Sequence, residues 1–123
     1  MAGSAALLNM GASGILTAEA TLIPKTFRRY LDHFEKGEID AMNGEYRHCV
    51  RLGQFVRAWG PSNARWLKMA MRVLKLPGGE GGLRPPYRMP PDAELRKFAE
   101  GLLALGIPEI QEQARIAGLS LAA

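Results

Sequence analysis

The run GILTAEATLIPK, from Gly14 to Lys25, most constrains this chain because it reads as one β-strand followed directly by a helix. The residues from Gly14 to about Ala20 show neither helical spacing nor polar alternation, which is typical of a strand covered on both faces. Pro24 suits the first turn of a helix, where its missing N–H costs no hydrogen bond. A strand needs ladder partners, and the sequence offers no second convincing strand. We predict partner strands outside this chain; the alternative is that the run is not a strand.

Helical spacing of apolar residues dominates the rest of the sequence, which predicts a mostly α chain. The expected helices are a short one from Gly3 to Met10, one from Pro24 to Gly37, one from Glu38 to Gly60, one after the N-cap Ser62, one capped by Asp92 and closed by Gly106, and a short one within Glu109–Ala123. The expected inward positions of the second and third helices include Phe27, Tyr30, Leu31 and Phe34, then Ile39, Met42, Tyr46, Cys49, Gly53 and Val56. The segment 76–91 is too rich in Gly and Pro for regular structure and is predicted to be a connector.

Length, charge and cysteine content limit the classes of protein to which this chain can belong. At 123 residues the chain has the length of one modest domain, and its apolar runs are too short to cross a bilayer. The net charge of +4 is spread among acids rather than gathered in blocks, so we expect no nucleic-acid partner. With no secretory signal and a single cysteine, Cys49, we expect the reducing environment of the cytoplasm.

Three features carry weak chemical signals. Arg65, Lys68, Arg72 and Lys75 form a basic stripe, either a solvated helix face or an interface with acidic groups elsewhere. His33 and His48 have no partners at triad or metal spacing and are expected near the surface. Glu19 is a carboxylate within the apolar strand, where it either faces a site or lies at the rim, solvated or paired with an Arg.

Three blocks together resemble the C-terminal half of the dihydrodipicolinate synthase and N-acetylneuraminate lyase family of pyruvate-dependent class I aldolases. They are GASGILTAEATLIPKTF, NARWLKMAMRVLKLPGG and LRPPYRMPPDAELRKF. The first has the family's paired glycines, apolar strand and helix-opening Pro24; the second has its helical Lys68 and Leu-Pro-Gly-Gly exit; the third has its Arg-x-Pro connector at Arg84. The similarity covers the chain up to about Gly106.

The resemblance implies a fold class of mostly α, made of the last βα unit of a (β/α)₈ barrel and a C-terminal helical appendix. Residues 1–37 would be the helix–strand–helix portion of the barrel, and residues 38–123 the helical region. The family's Schiff-base lysine lies on strand six and its tyrosine and paired threonines lie earlier, so none has a counterpart here.

Without that lysine amine no iminium with pyruvate can form, and the chain is expected to be inactive alone. The resemblance places Leu16 and Ala18 at strand-eight positions that line the barrel mouth near pyruvate. Glu19 stands where the family usually has a small or hydroxyl residue. The candidate substrate-binding residues are Leu16, Ala18 and Glu19, and we predict no catalytic residue and no metal ligand.

The leading hypothesis is therefore a C-terminal fragment of a pyruvate-dependent aldolase or lyase. The complete protein would bind pyruvate or a related 2-keto acid, need no cofactor and form a homo-oligomer, which in the family is a tetramer. The alternative is a self-standing helical protein-interaction module whose strand region pairs with a partner chain, and a basic nucleic-acid binder ranks third.

Overall fold

The computed structural model describes residues 3–60 and 63–119. These residues form six α-helices and no strand, which confirms the prediction of a mostly α chain. The helices are α1 (Ser4–Asn9), α2 (Pro24–Glu35), α3 (Ile39–Arg57), α4 (Asn63–Val73), α5 (Asp92–Ala104) and α6 (Pro108–Ile116), with a 3₁₀ helix at Ala18–Thr21.

Local signals placed the helix boundaries within a few residues. Pro24 opens α2 as predicted, and the chain leaves that helix through Gly37, whose φ of +70° suits a residue without Cβ. Asp92 is the first residue of α5 rather than its cap, because Pro91 holds the extended N-cap conformation. The predicted cap Ser62 lies outside the described residues.

The predicted strand from Gly14 to Ala20 is wrong: the described residues contain no strand, which agrees with the alternative that this run is not one. Residues 12–17 have no regular structure, and Thr17 is extended, with φ −154° and ψ 143°. From Ala18 the backbone turns into the 3₁₀ helix, in which the N–H of Leu22 donates to the carbonyl of Glu19 at 3.0 Å. A short extended segment is thus followed by a tight turn that leads into α2.

The chain divides into two compact units between Gln54 and Phe55. The first unit contains α1, α2 and most of α3, around a core of Leu8, Tyr30 and Met42. The rings of Tyr30 and Tyr46 stack with centroids 5.6 Å apart. The predicted division into 1–37 and 38–123 stays a prediction.

Polar contacts also hold the first unit together. Arg29 on α2 binds Glu45 on α3 through two bonds, Nε to Oε1 at 2.7 Å and Nη2 to Oε2 at 3.1 Å. Such forked pairs hold orientation better than single contacts. Ile39, predicted to face inward, is 55% exposed at the first position of α3, although Met42 in the same turn is buried in the core.

The second unit is organised by aromatic rings. The rings of Trp59 and Phe98 meet edge to face at 5.1 Å, and Phe55 lies 5.3 Å from Phe98. Both geometries are favourable for aromatic pairs. Helix α5 packs against α4 and α6, and the Gln111 amide of α6 donates to the Leu103 carbonyl of α5 at 2.6 Å.

The connector returns closely over α4 at Gly79. A Cβ on Gly79 would lie 2.5 Å from both the backbone carbon and the backbone oxygen of Met71. The same carbonyl of Met71 accepts the N–H of Leu76 at 2.8 Å, so this backbone is held in place. A Cβ on Gly82 would meet no atom within 4 Å.

We therefore predict that Gly79→Ala lowers the free energy of unfolding of the second unit by about 2 kcal/mol or more, since the clash is with main chain. Gly82→Ala, three residues away, should change it by less than about 0.5 kcal/mol. Urea unfolding followed by fluorescence reports on this unit because both tryptophans, Trp59 and Trp66, lie in it. Equal midpoints for the two variants would contradict the close approach.

Candidate functional site

The three residues predicted to bind substrate lie on either side of one bend. Leu16 is on the irregular segment 12–17, which is called the extended segment after its extended last residue, Thr17, and its side chain is 104% exposed. Ala18 and Glu19 are half-buried in the 3₁₀ helix that follows. Leu16 therefore points into solvent, while the other two belong to the turn.

Glu19 is engaged by its own turn. Its carboxylate accepts a hydrogen bond from the hydroxyl of Thr17, and its carbonyl accepts the N–H groups of Leu22 at 3.0 Å and Ile23 at 3.3 Å. Leu22 and Ile23 are fully buried, so they anchor this turn to the first unit. The partner of the carboxylate is thus a neighbouring hydroxyl rather than the arginine considered from the sequence.

The extended segment presents backbone that nothing in the described chain satisfies. The N–H of Ala12 donates to the Leu7 carbonyl at 3.0 Å, but from Ser13 to Leu16 no backbone group has a hydrogen-bond partner among residues 3–60 and 63–119. Exposed apolar side chains accompany it: Leu7 is 58% exposed and Met10 is 82% exposed. Unpaired backbone of this kind can pair with a strand of another chain.

A shallow cavity of about 250 Å³ lies between this segment and α1. Its lining includes Ser4 and Leu7 from α1 and the stretch from Gly14 to Thr17. Leu16 contributes to this wall, whereas Ala18 and Glu19 do not. The structure therefore does not gather the three predicted residues around one cavity.

A tyrosine hydroxyl is buried within the first unit. Tyr30 has no exposed surface, and its Oη lies 3.1 Å from the Ser4 hydroxyl, which is itself 7% exposed. Burial raises the pKa of Tyr30 above its ordinary value of 10.0, and the hydrogen bond with Ser4 opposes part of that rise. The sequence placed Tyr30 in the core, but a partner 26 positions away has no local signal.

The histidines and the cysteine do not form a metal site. His33 contacts Glu38 through Nδ1 and Oε2 at 2.5 Å, while His48 is half-buried and its Nδ1 has no partner in the described part of the chain. Cys49 is buried and forms no disulfide. Within residues 3–60 and 63–119, no group of three or more His, Cys, Asp or Glu residues could hold a metal ion.

Two members of the basic stripe have partners inside the second unit. Arg65 donates to Glu94 at 2.9 Å and to the Trp59 carbonyl at 3.4 Å, which links α4 to α5. Lys68 donates to the carbonyl of Gly78 in the connector. Arg72 and Lys75 are exposed. Only part of the stripe is therefore a solvated face.

A second hollow, which the sequence did not predict, separates α4 from the connector. This α4–connector groove has a volume of about 560 Å³. Its lining includes Leu67, Lys68 and Met71 of α4 and Leu83, Arg84 and Tyr87 of the connector. The two walls lie about 15 positions apart in the sequence, and no local pattern reveals that a Gly- and Pro-rich segment folds back on a helix.

No family model, curated protein or solved structure matches this chain. Among the helices of the described residues, none combines the length and apolar character that a membrane span requires. The case for a function therefore depends on the residues themselves and on the sequence resemblance.

The buried Tyr30 hydroxyl makes the stability of the first unit depend on pH in the alkaline range. Because its folded pKa is raised, the unfolded chain ionises first, so stability is complete below pH 10.0 and is lost as pH rises toward the folded pKa. Tyr30→Phe should cost about 1 kcal/mol near neutral pH and should reduce the alkaline loss. Urea midpoints from pH 8 to 11.5, read by circular dichroism, measure both effects.

Tyr87→Phe provides the matched control because Tyr87 is 48% exposed and lies in the second unit. It should leave the alkaline loss unchanged. An alkaline profile of Tyr30→Phe that overlays that of the unsubstituted chain would show that another group is responsible.

Proposed function

We propose that this chain is the C-terminal part of a pyruvate-dependent Schiff-base aldolase or lyase, similar to dihydrodipicolinate synthase. In this proposal the extended segment is the last strand of a (β/α)₈ barrel, and α2 is the helix that follows it. The helices from α3 onward form the C-terminal appendix. The proposal rests on the resemblance of the three sequence blocks and on one structural observation.

That observation is the unsatisfied backbone of the extended segment. Four consecutive residues, 13–16, have no backbone hydrogen bond to a described residue, and the apolar side chain of the last of them, Leu16, is fully exposed. Exposed apolar side chains beside unpaired backbone, here Leu7, Met10 and Leu16, are typical of a surface that another chain covers. A barrel strand has neighbours on both edges and is covered on both faces, which accounts for the segment's composition.

The chemistry of this chain is then limited to shaping a site completed elsewhere. A Schiff-base aldolase needs a lysine amine to attack the keto carbon of pyruvate, and none of the present lysines matches that position of the family. Lys68, the best matched of them, donates to the Gly78 carbonyl. In the complete cytoplasmic enzyme, a homo-oligomer that needs no cofactor, Leu16 and Ala18 would pack near pyruvate and exclude water.

A specific observation also favours a second candidate, a self-standing helical interaction module. Each unit has its own buried core, with Tyr30 in the first and Trp66 and Phe98 in the second almost completely covered. Such cores are what an independently stable domain requires. In this case the extended segment would pair with a strand of a different protein.

Borohydride trapping tests the catalytic part of the proposal. Incubation of the chain with pyruvate and sodium borohydride should yield no stoichiometric adduct by intact mass, because no lysine occupies the Schiff-base position. A stoichiometric adduct that disappears in one Lys→Arg variant, among Lys25, Lys68 and Lys75, would contradict it.

As a second test, an in-frame upstream segment with a Gly-x-Lys-Asp/Glu-Ser-like motif is expected in the genomic sequence.

Self-association tests the strand part of the proposal. The isolated chain should associate through the extended segment, and Leu16→Lys should weaken that association about tenfold or more by removing a buried leucine and adding a charge. Its effect on folding should be below about 0.5 kcal/mol, since Leu16 is fully exposed in the single chain. Sedimentation velocity over a concentration series measures the association.

Ile116→Lys is the matched control, because Ile116 is 72% exposed and lies in the hydrogen-bonded helix α6. It should leave association unchanged. A chain that is monomeric and cooperatively folded at all concentrations would favour the interaction module instead.

A further inference from the structure

The α4–connector groove has an apolar floor and walls. Leu67 and Met71 line it from α4, and Leu83 lines it from the connector. Its volume of about 560 Å³ falls within the range of about 300–1,000 Å³ that is typical of small-molecule pockets. The groove therefore suits the apolar body of a small molecule.

The charged residues of the groove are all basic. Lys68 and Arg84 belong to its lining, and no acidic residue does. Within the described chain the Arg84 side chain has neither a hydrogen bond nor an ion pair, and it is exposed. An arginine guanidinium that has no partner can bind a carboxylate through two parallel hydrogen bonds.

The groove is held open by the fold rather than by a ligand. Lys68 donates to the Gly78 carbonyl, which ties α4 to the start of the connector. Farther along, the N–H of Tyr87 donates to the Arg84 carbonyl at 3.0 Å and closes a turn that presents the guanidinium beside the apolar wall. A site that exists before binding loses less freedom on binding.

We propose that this groove binds a small amphipathic carboxylate, with an aromatic or branched aliphatic body between Leu67, Met71 and Leu83 and its carboxylate on Arg84. Lys68 adds positive potential to the same lining, and Tyr87, which also lines the groove, is 48% exposed. The apolar lining favours a ligand with an apolar body, and the two cationic side chains favour a ligand with a negative charge. The site is separate from the pyruvate chemistry of the proposed function and does not depend on it.

The test uses the full ¹⁵N-labelled chain and phenylacetate as the probe. Phenylacetate should shift the amide signals of Leu83, Arg84 and Tyr87 in a saturable way, while phenylacetamide and 2-phenylethylamine should bind about tenfold more weakly or not at all. Arg84→Gln should weaken phenylacetate binding about tenfold or more, since the lost bonds are charge-assisted. Equilibrium dialysis with radiolabelled phenylacetate makes the same comparison if self-association broadens the spectra.

Arg88→Gln is the matched control, because Arg88 is an exposed arginine of the same connector and does not line the groove. It should bind phenylacetate like the unsubstituted chain. Equal binding of phenylacetate and phenylacetamide, no effect of Arg84→Gln, or no binding at millimolar concentration would each overturn the proposal. Tighter binding of an acidic peptide at the same amides would overturn the assignment to a small molecule.

Discussion

Backbone hydrogen bonding is the constraint on which the rest of this structure depends. A helix satisfies its own N–H and C=O groups, so each helical segment of the chain is complete once its ends are accommodated. An extended segment must find its partners elsewhere. Residues 13–16 find none in the described chain and Leu16 is exposed, while the fully buried Leu22 and Ile23 fix the turn that follows. The proposed function follows from the need to complete this segment.

The polar contacts of each unit connect its helices rather than build a reactive centre. Arg29 and Glu45 join α2 to α3, while Arg65 and Glu94 join α4 to α5. The carboxylate of Glu19, the most unusual residue of the predicted strand, is bound by a hydroxyl two positions away. These contacts stabilise the packing of the helices and of the turn within each unit.

Much of the helical structure could be predicted from short-range physics. Pro24 removes an N–H that a helix start does not need, and Gly37 adopts a φ that a residue with Cβ rarely takes, so both ends of α2 are encoded locally. The strand prediction failed because a run of small and apolar residues is compatible with irregular backbone and a 3₁₀ turn as well as with a strand. Ile39 fits the helical spacing, but spacing alone does not show where the core stops.

The sequence by itself determined the helices and most of their end points, because each depends on neighbouring residues or on a linear pattern. Only the tertiary structure decided which side chains contact or hydrogen-bond one another. It paired Ser4 with Tyr30, directed Lys68 to a connector carbonyl and brought Arg84 beside the apolar side chains of α4. Those contacts join segments that are distant in the chain, and their energies depend on burial and geometry that no local pattern encodes.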